Sequence, residues 1–182
     1  RVALLVSLTV VVIAGLVGVV IAIVAGFVGG RLDAFLMRTT DAALAFPVLL
    51  FAIVWVAAFG SSTRNVVIIL AVAFWPSYAR VLRSEVLRVK TMDFVTMAKT
   101  MGASNRWVIR RHVLPNIVPT LLVLLSLQLG LAIVAEGSLS FLGLGISAPV
   151  PSWGGIVAGG LFVLPSLALL IGLSWVYMAY GQ

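Results

Sequence analysis

Residues 2–28 read VALLVSLTVVVIAGLVGVVIAIVAGFV and hold no charged side chain. About 20 apolar residues in helical form cross the hydrocarbon core of a bilayer. This run therefore reads as a membrane span, somewhat long and tilted. It is also far longer than the apolar core of a secretory signal. The rest of the chain has the same character. Hydrophobic residues make up 63% of the 182 and charged residues 9%, against roughly a quarter charged in soluble domains. So little polar surface cannot cover a chain of this size in water, and lipid must be part of its solvent.

Outward from Val2–Val28 the spans follow in order. Gly29, Gly30, Arg31, Asp33, Arg38 and Asp41 make a short polar connection, and Ala42–Phe59 is a second span interrupted by Pro47. The turn Gly60-Ser61-Ser62-Thr63-Arg64-Asn65 leads to a third, from Val66 to about Ala79. Its helix is expected to continue past Arg80 and Arg83, whose long side chains reach the headgroups. Ile117–Ala135 is the fourth and Ile156–Tyr180 the fifth. The fold class is thus all-α, a polytopic bundle of five spans forming a single transmembrane domain over residues 1–182.

Eight Lys and Arg lie between Arg80 and Arg111 against two acids, Glu85 and Asp93. Nucleic acid could explain a net charge of +7, but a basic stretch set between apolar runs marks a cytoplasmic loop. We place residues 80–115 there, with no nucleic-acid partner. Alternation then puts Arg31–Asp41 inside, the Arg64 turn outside and residues 138–155 outside. Arg1 falls on the external side and follows no initiator Met, which predicts a sixth span upstream in a longer chain.

Pro47, Pro76 and Pro165 fall within spans and tend to kink them. Gly15, Gly18 and Gly26 suit close helix packing. Trp75, Trp107, Trp153 and Tyr78 fit interfacial anchoring. The chain has no cysteine and a single histidine, His112, and its five acids are too scattered for a general acid/base pair. We expect no catalytic residues, no metal site and no cofactor in this chain.

Thr91–Pro115, TMDFVTMAKTMGASNRWVIRRHVLP, carries the most information. Thr91 or Asp93 can cap a helix start and Gly102 suits its end. Phe94, Met97, Ala98 and Met101 fall at i, i+3, i+4 and i+7, one helical face. An isolated helix this short is marginal in water, so that face must meet something. The protein's own helix ends, the lipid interface and a groove on another protein all qualify. Ser104 or Asn105 caps a second helix, and Pro115 marks the return to the membrane.

The spacing resembles the cytoplasmic EAA loop of binding-protein-dependent ABC importer permeases: E-A-A, three residues, G, nine residues, I-x-L-P. Thr96, Met97 and Ala98 stand at the E-A-A positions, Gly102 at the glycine, and Leu114 and Pro115 at the final pair. Thr96 replaces the acid, Met97 the first alanine and His112 the isoleucine. Two further stretches, Asp41-Ala42-Ala43-Leu44-Ala45-Phe46-Pro47 and Leu139-Ser140-Phe141-Leu142-Gly143-Leu144-Gly145, with Pro149, Pro151, Ser152, Trp153 and Gly154 following the latter, resemble the second permease of dipeptide, oligopeptide and nickel importers. Met178-Ala179-Tyr180-Gly181-Gln182 stands where that family usually shows Asn…Gly-Asp.

The resemblance implies the type I ABC importer permease fold in a bacterial or archaeal plasma (inner) membrane. It implies pairing with a second homologous permease, two cytoplasmic ATPases (or one fused chain) that bind ATP and Mg, and an extracytoplasmic substrate-binding protein. Asp93, Phe94, Thr96, Met97, Ala98, Met101, Gly102, Leu114 and Pro115 would couple to an ATPase. No GxxxxGK[ST] is present to bind ATP in this chain. The segment 138–155 would be an external re-entrant loop, with Ser140, Phe141, Leu142, Gly143 and Trp153 lining the pathway or meeting the binding protein, or simply packing as a plug. Glu136, the acid nearest membrane depth, is a functional candidate by default, a structural hydrogen bond being the other reading. Peptide is the first expectation for the solute, nickel or another small solute the next. A non-ABC channel or a structural membrane subunit is the competing class.

Overall fold

The structure is a computed structural model and describes residues 2–145 and 152–180. Arg1, Pro149, Pro151, Gly181 and Gln182, singled out above, lie outside the described residues. The described chain is helical: α1 (Val2–Val28), α2 (Gly30–Ala45), α3 (Val48–Phe59), α4 (Thr63–Lys90), α5 (Asp93–Thr100), α6 (Asn105–Phe141, including a π turn at Ile109–Val113) and α7 (Trp153–Tyr180). By length and composition α1, α4 and α6 can each cross a membrane, and α2 with α3 counts as a fourth span only if the pair is taken as one. α7 supplies 28 uncharged residues at the other end of the chain.

α1 and α4 form the spine. Gly18 faces Tyr78 and Gly26 faces Val86, so the two helices run parallel in register. The buried face of α1 is mostly small residues, among them Ala14, Gly15, Gly18, Ala22 and Gly26, beside Val6, Val10, Val11 and Phe27, whereas Leu4, Leu5, Leu8 and Leu16 point outward. That reverses the order of a soluble core. Lipid accepts large apolar side chains as readily as protein does, so association depends on close backbone approach instead. α6 packs on both α1 and α4, and α7 packs on α6.

Two expectations about the path of the chain change. Residues 30–41 are no mere connection, because they form most of α2, which follows a sharp turn at Gly29 and Gly30 (φ 76° and 63°). Pro47 does more than interrupt a span. It cannot donate to the preceding turn and holds Phe46 in an extended conformation, and the axes of α2 and α3 diverge there by 85°. Pro76, by contrast, sits inside an unbroken α4.

Tyr78 is not an interfacial anchor. It is fully buried against Gly15 and Gly18, and its hydroxyl has no hydrogen-bond partner among the described residues. A buried hydroxyl without a partner contributes desolvation cost rather than stability. Tyr78→Phe is therefore expected to leave the thermal unfolding of detergent-solubilised protein unchanged or slightly raised, within about 1 kcal/mol. A clear loss of stability would show that the hydroxyl is used.

Candidate functional site

α5 begins after Met92, the residue at its N-cap, which offers no side-chain bond; neither Thr91 nor Asp93 caps it. The Thr91 hydroxyl instead donates to the Arg88 carbonyl (2.9 Å), closing α4. The helix stops at Thr100, two residues short of Gly102. Gly102 adopts φ +87°, Ala103 N–H donates to the Ala98 carbonyl and Gly102 N–H to that of Lys99, both at 3.0 Å. This six-to-one and five-to-two pair of bonds is a Schellman closure, which favours glycine at the left-handed position. Ser104 then caps α6, its Oγ accepting from Trp107 N–H at 3.4 Å.

The side of α5 that packs inward is Val95, fully buried, with Ala98 against the core. Phe94 lies 5.3 Å from the ring of His112. Met97 and Met101 are 62% and 86% exposed, so the protein's own helix ends do not cover them. Thr96 and Lys99 are exposed as well. With Thr100 they line a surface groove of about 730 Å³ whose other wall is Leu87, Lys90 and Thr91. Leu114 is partly buried and Pro115 exposed at the foot of α6, beyond the π turn.

A polar lattice beside α5 was not legible in the charges alone. Arg83 donates from Nε and Nη2 to the two carboxylate oxygens of Asp33, each at 2.5 Å. Arg80 pairs with Asp41 at a much more exposed position. Lys90 donates to the carbonyls of Phe27 (2.6 Å) and Gly26 (3.3 Å), the last turn of α1. The Phe27 ring in turn carries the Lys90 and Lys99 ammonium groups at 5.6 and 4.8 Å. α2 and α1 are thereby tied to the basic end of α4, and the last turn of α5 to α1 through Lys99 and Phe27. The available signal was that Asp33 and Asp41 lie eight residues apart, on one side of a helix.

At the opposite end, Glu136 is fully buried and its Oε1 lies 2.7 Å from the Ser140 hydroxyl. Its other oxygen has no partner among the described residues. Residues 138–141 are not loop: they complete the last turn of α6, while Trp153 opens α7. Between these helix ends an apolar groove of about 620 Å³ is lined by Phe141, Leu142, Trp153 and Val157, among others. A side chain at Gly154 would run into the backbone of Gly137 and Phe141, which shows how closely α7 seats on α6. Gly143 turns the chain away at φ +75°. Phe141, Leu142 and Trp153 are therefore brought together, whereas Glu136 and Ser140 point into the bundle.

Among the described residues no group of three His, Cys, Asp or Glu could hold a metal ion.

Known proteins agree with this picture of a membrane bundle. The chain is 34% identical over 180 residues to the glutathione transport system permease protein GsiD of Pectobacterium atrosepticum, covering 94% of this chain and 60% of that protein. It is 39% identical over 158 residues to the "Probable D,D-dipeptide transport system permease protein DdpC" of Escherichia coli K12, covering 87% of this chain and 53% of that one. A third relative, GsiD of Shigella flexneri, is 36% identical over 151 residues, or 78% of this chain and 50% of the relative. The chain thus spans between half and three-fifths of the length of these relatives. Residues 18–180 match the family described as "Binding-protein-dependent transport system inner membrane component", and with nearly the whole chain inside that match, this protein belongs to that family of membrane permeases.

Proposed function

We propose that this chain is half of the solute pathway of an ATP-driven importer, and that α5 is the element through which cytoplasmic ATPases move it. The observation that carries the reading is the outward display of Phe94, Met97 and Met101 on a short helix whose other side is anchored. An exposed, unbranched methionine face suits insertion into an apolar groove of a partner. The Schellman closure at Gly102 and the lattice on Lys90 make α5 stiff enough to transmit displacement. The basic end faces the cytoplasm by the positive-inside rule. The other half of the pathway is a second homologous permease. ATP and Mg belong to the ATPases, and an external binding protein delivers the solute near Phe141, Leu142 and Trp153. The solute is a peptide, a reading supported by relatives named for glutathione and D,D-dipeptide transport.

The test is co-purification of an ATPase with the full-length chain from native membranes in mild detergent. Met97→Arg places a charge in the apolar contact, and Gly102→Val forces a β-branched residue into the left-handed region. Each is expected to cut ATPase recovery at least tenfold, in keeping with the roughly 2 kcal/mol or more of a central contact residue. Undiminished recovery with Met97→Arg would remove α5 from the coupling role. Absence of any ATPase while other membrane partners stay bound would sink the importer reading itself.

A further inference from the structure

The first turns of α6 carry Arg106, Trp107, Arg110 and Arg111, all exposed and together lining a surface cavity of about 370 Å³. Their shared cavity puts them on one side of the helix, with Arg110 and Arg111 inside the π turn. Like charges at i and i+4, as in Arg106 and Arg110, weaken a helix. Among the described residues no carboxylate pairs with any of the three arginines. Of the chain's five acids, Asp33, Asp41 and Glu85 have their own arginines, Glu136 is buried toward the far end of α6, and Asp93, exposed at the start of α5, forms no ion pair with Arg106, Arg110 or Arg111 among the described residues. Among the described residues, then, three guanidinium groups that line one cavity have no carboxylate paired with them.

Their depth says what that anion is. The apolar part of α6 begins at Ile117, and six residues of helix place Arg111 about 9 Å before it. The headgroup layer flanking the hydrocarbon core is roughly 5–8 Å deep, and an arginine side chain spans the remainder. Trp107, half exposed, packs its edge on His112 at 5.2 Å, as an aromatic residue at the interface does. Farther along the helix Val118, Leu122 and Val123 are exposed apolar surface. Guanidinium groups bind phosphate oxygens in bidentate fashion, unlike a point charge. We infer that Arg106, Arg110 and Arg111 with Trp107 form a binding site for the phosphate headgroup of an anionic phospholipid, whose acyl chains run along the exposed face of α6. The inference rests on the chain being a membrane protein and is independent of the ATPase coupling through α5.

The test uses the full-length chain with its co-purifying subunits, exchanged into nanodiscs of phosphatidylcholine with graded phosphatidylglycerol. Retained lipid is counted by native mass spectrometry. Wild type is expected to retain phosphatidylglycerol in preference to phosphatidylcholine, and the preference to fall about fivefold for each arginine replaced in R106Q, R110Q and R111Q. R64Q, in the first turn of α4 at its opposite end from the basic stretch, serves as the control and keeps the preference. The single variants carry the test if the triple variant does not fold. Millimolar inorganic phosphate is expected not to displace the lipid. Three outcomes overturn the site: an unchanged preference in the variants, equal displacement by free phosphate, which makes it a soluble-anion site, or a variant that keeps its lipid but loses a co-purifying protein, which makes it an acidic-protein contact.

Discussion

Gly18→Leu is expected to leave little folded protein. A Cβ at Gly18 would strike Tyr78 Cβ and lie 3.1 Å from both the Ala79 nitrogen and the Trp75 carbonyl oxygen. Two of those three atoms are backbone, and the third is the root of a side chain, so no rotamer change relieves the contact. Overpacking of a tight interior costs about 1–3 kcal/mol even where neighbours can shift. Here α1 would have to move off α4 along the most extensive helix contact in the fold. Helices in lipid gain little from burying apolar surface against one another, so lost van der Waals contact is not recovered by another arrangement. Gly130→Leu is the control, since nothing lies within 4 Å of the side chain it would gain. Thermal unfolding in detergent should show G18L strongly destabilised, or absent from the folded fraction, with G130L near wild type. A wild-type melting curve for G18L would mean that α1 and α4 do not meet at this register.

The second large effect is expected at Asp33 and Arg83. Their side chains are only 17% and 28% exposed and meet through two parallel hydrogen bonds. Arg83→Met would leave a mostly buried carboxylate without its main partner. Fully buried pairs lose about 3–5 kcal/mol when broken and exposed ones about 0–1, so roughly 2 kcal/mol is expected here. Arg83→Lys should recover only part of it, because an ammonium cannot match both oxygens at once. Asp33→Asn together with Arg83→Met should cost less than the sum of the singles, with a coupling of about 1–2 kcal/mol. Additive singles would show that the pair contributes nothing. The parallel cycle at Asp41 and Arg80, whose side chains are 63% and 54% exposed, should give under 1 kcal/mol.

The long apolar spans of α1, α4 and α6 and the short helix in the basic loop were legible because they depend on local signals, whereas the expected span Ala42–Phe59 was not, since Pro47 breaks it. Residues 2–28 have no charge to place anywhere but in lipid, and Phe94, Met97 and Met101 announce a helix by spacing. Gly102 was legible for the same reason, since a glycine after an apolar face reads as a stop. What escaped was set by distant residues. Asp33 and Asp41 read as loop charges because their partners, Arg83 and Arg80, lie 50 and 39 residues away. Tyr78 read as an anchor because tyrosine often sits at an interface, and only the absence of side chains at Gly15 and Gly18 makes room for it inside. The direction in which Met97 points could not be had from periodicity, which gives a face but not what the face meets. Val95, off the methionine stripe, turned out to be the buried contact.

The π turn at Ile109–Val113 has a consequence for any experiment that scans α6 residue by residue. Each residue of an α-helix advances the azimuth by about 100°, and a π turn absorbs one extra residue without adding a turn. Positions before Ile109 are therefore out of phase with those after Val113 by about one residue's rotation. A labelling scan with single cysteines should trace two accessibility waves, one through Asn105–Val108 and another through Leu114–Phe141, that no single period can join. Deleting one residue within the π turn would bring them into step, rotating Arg106 and Trp107 around the helix axis while leaving the transmembrane part where it is.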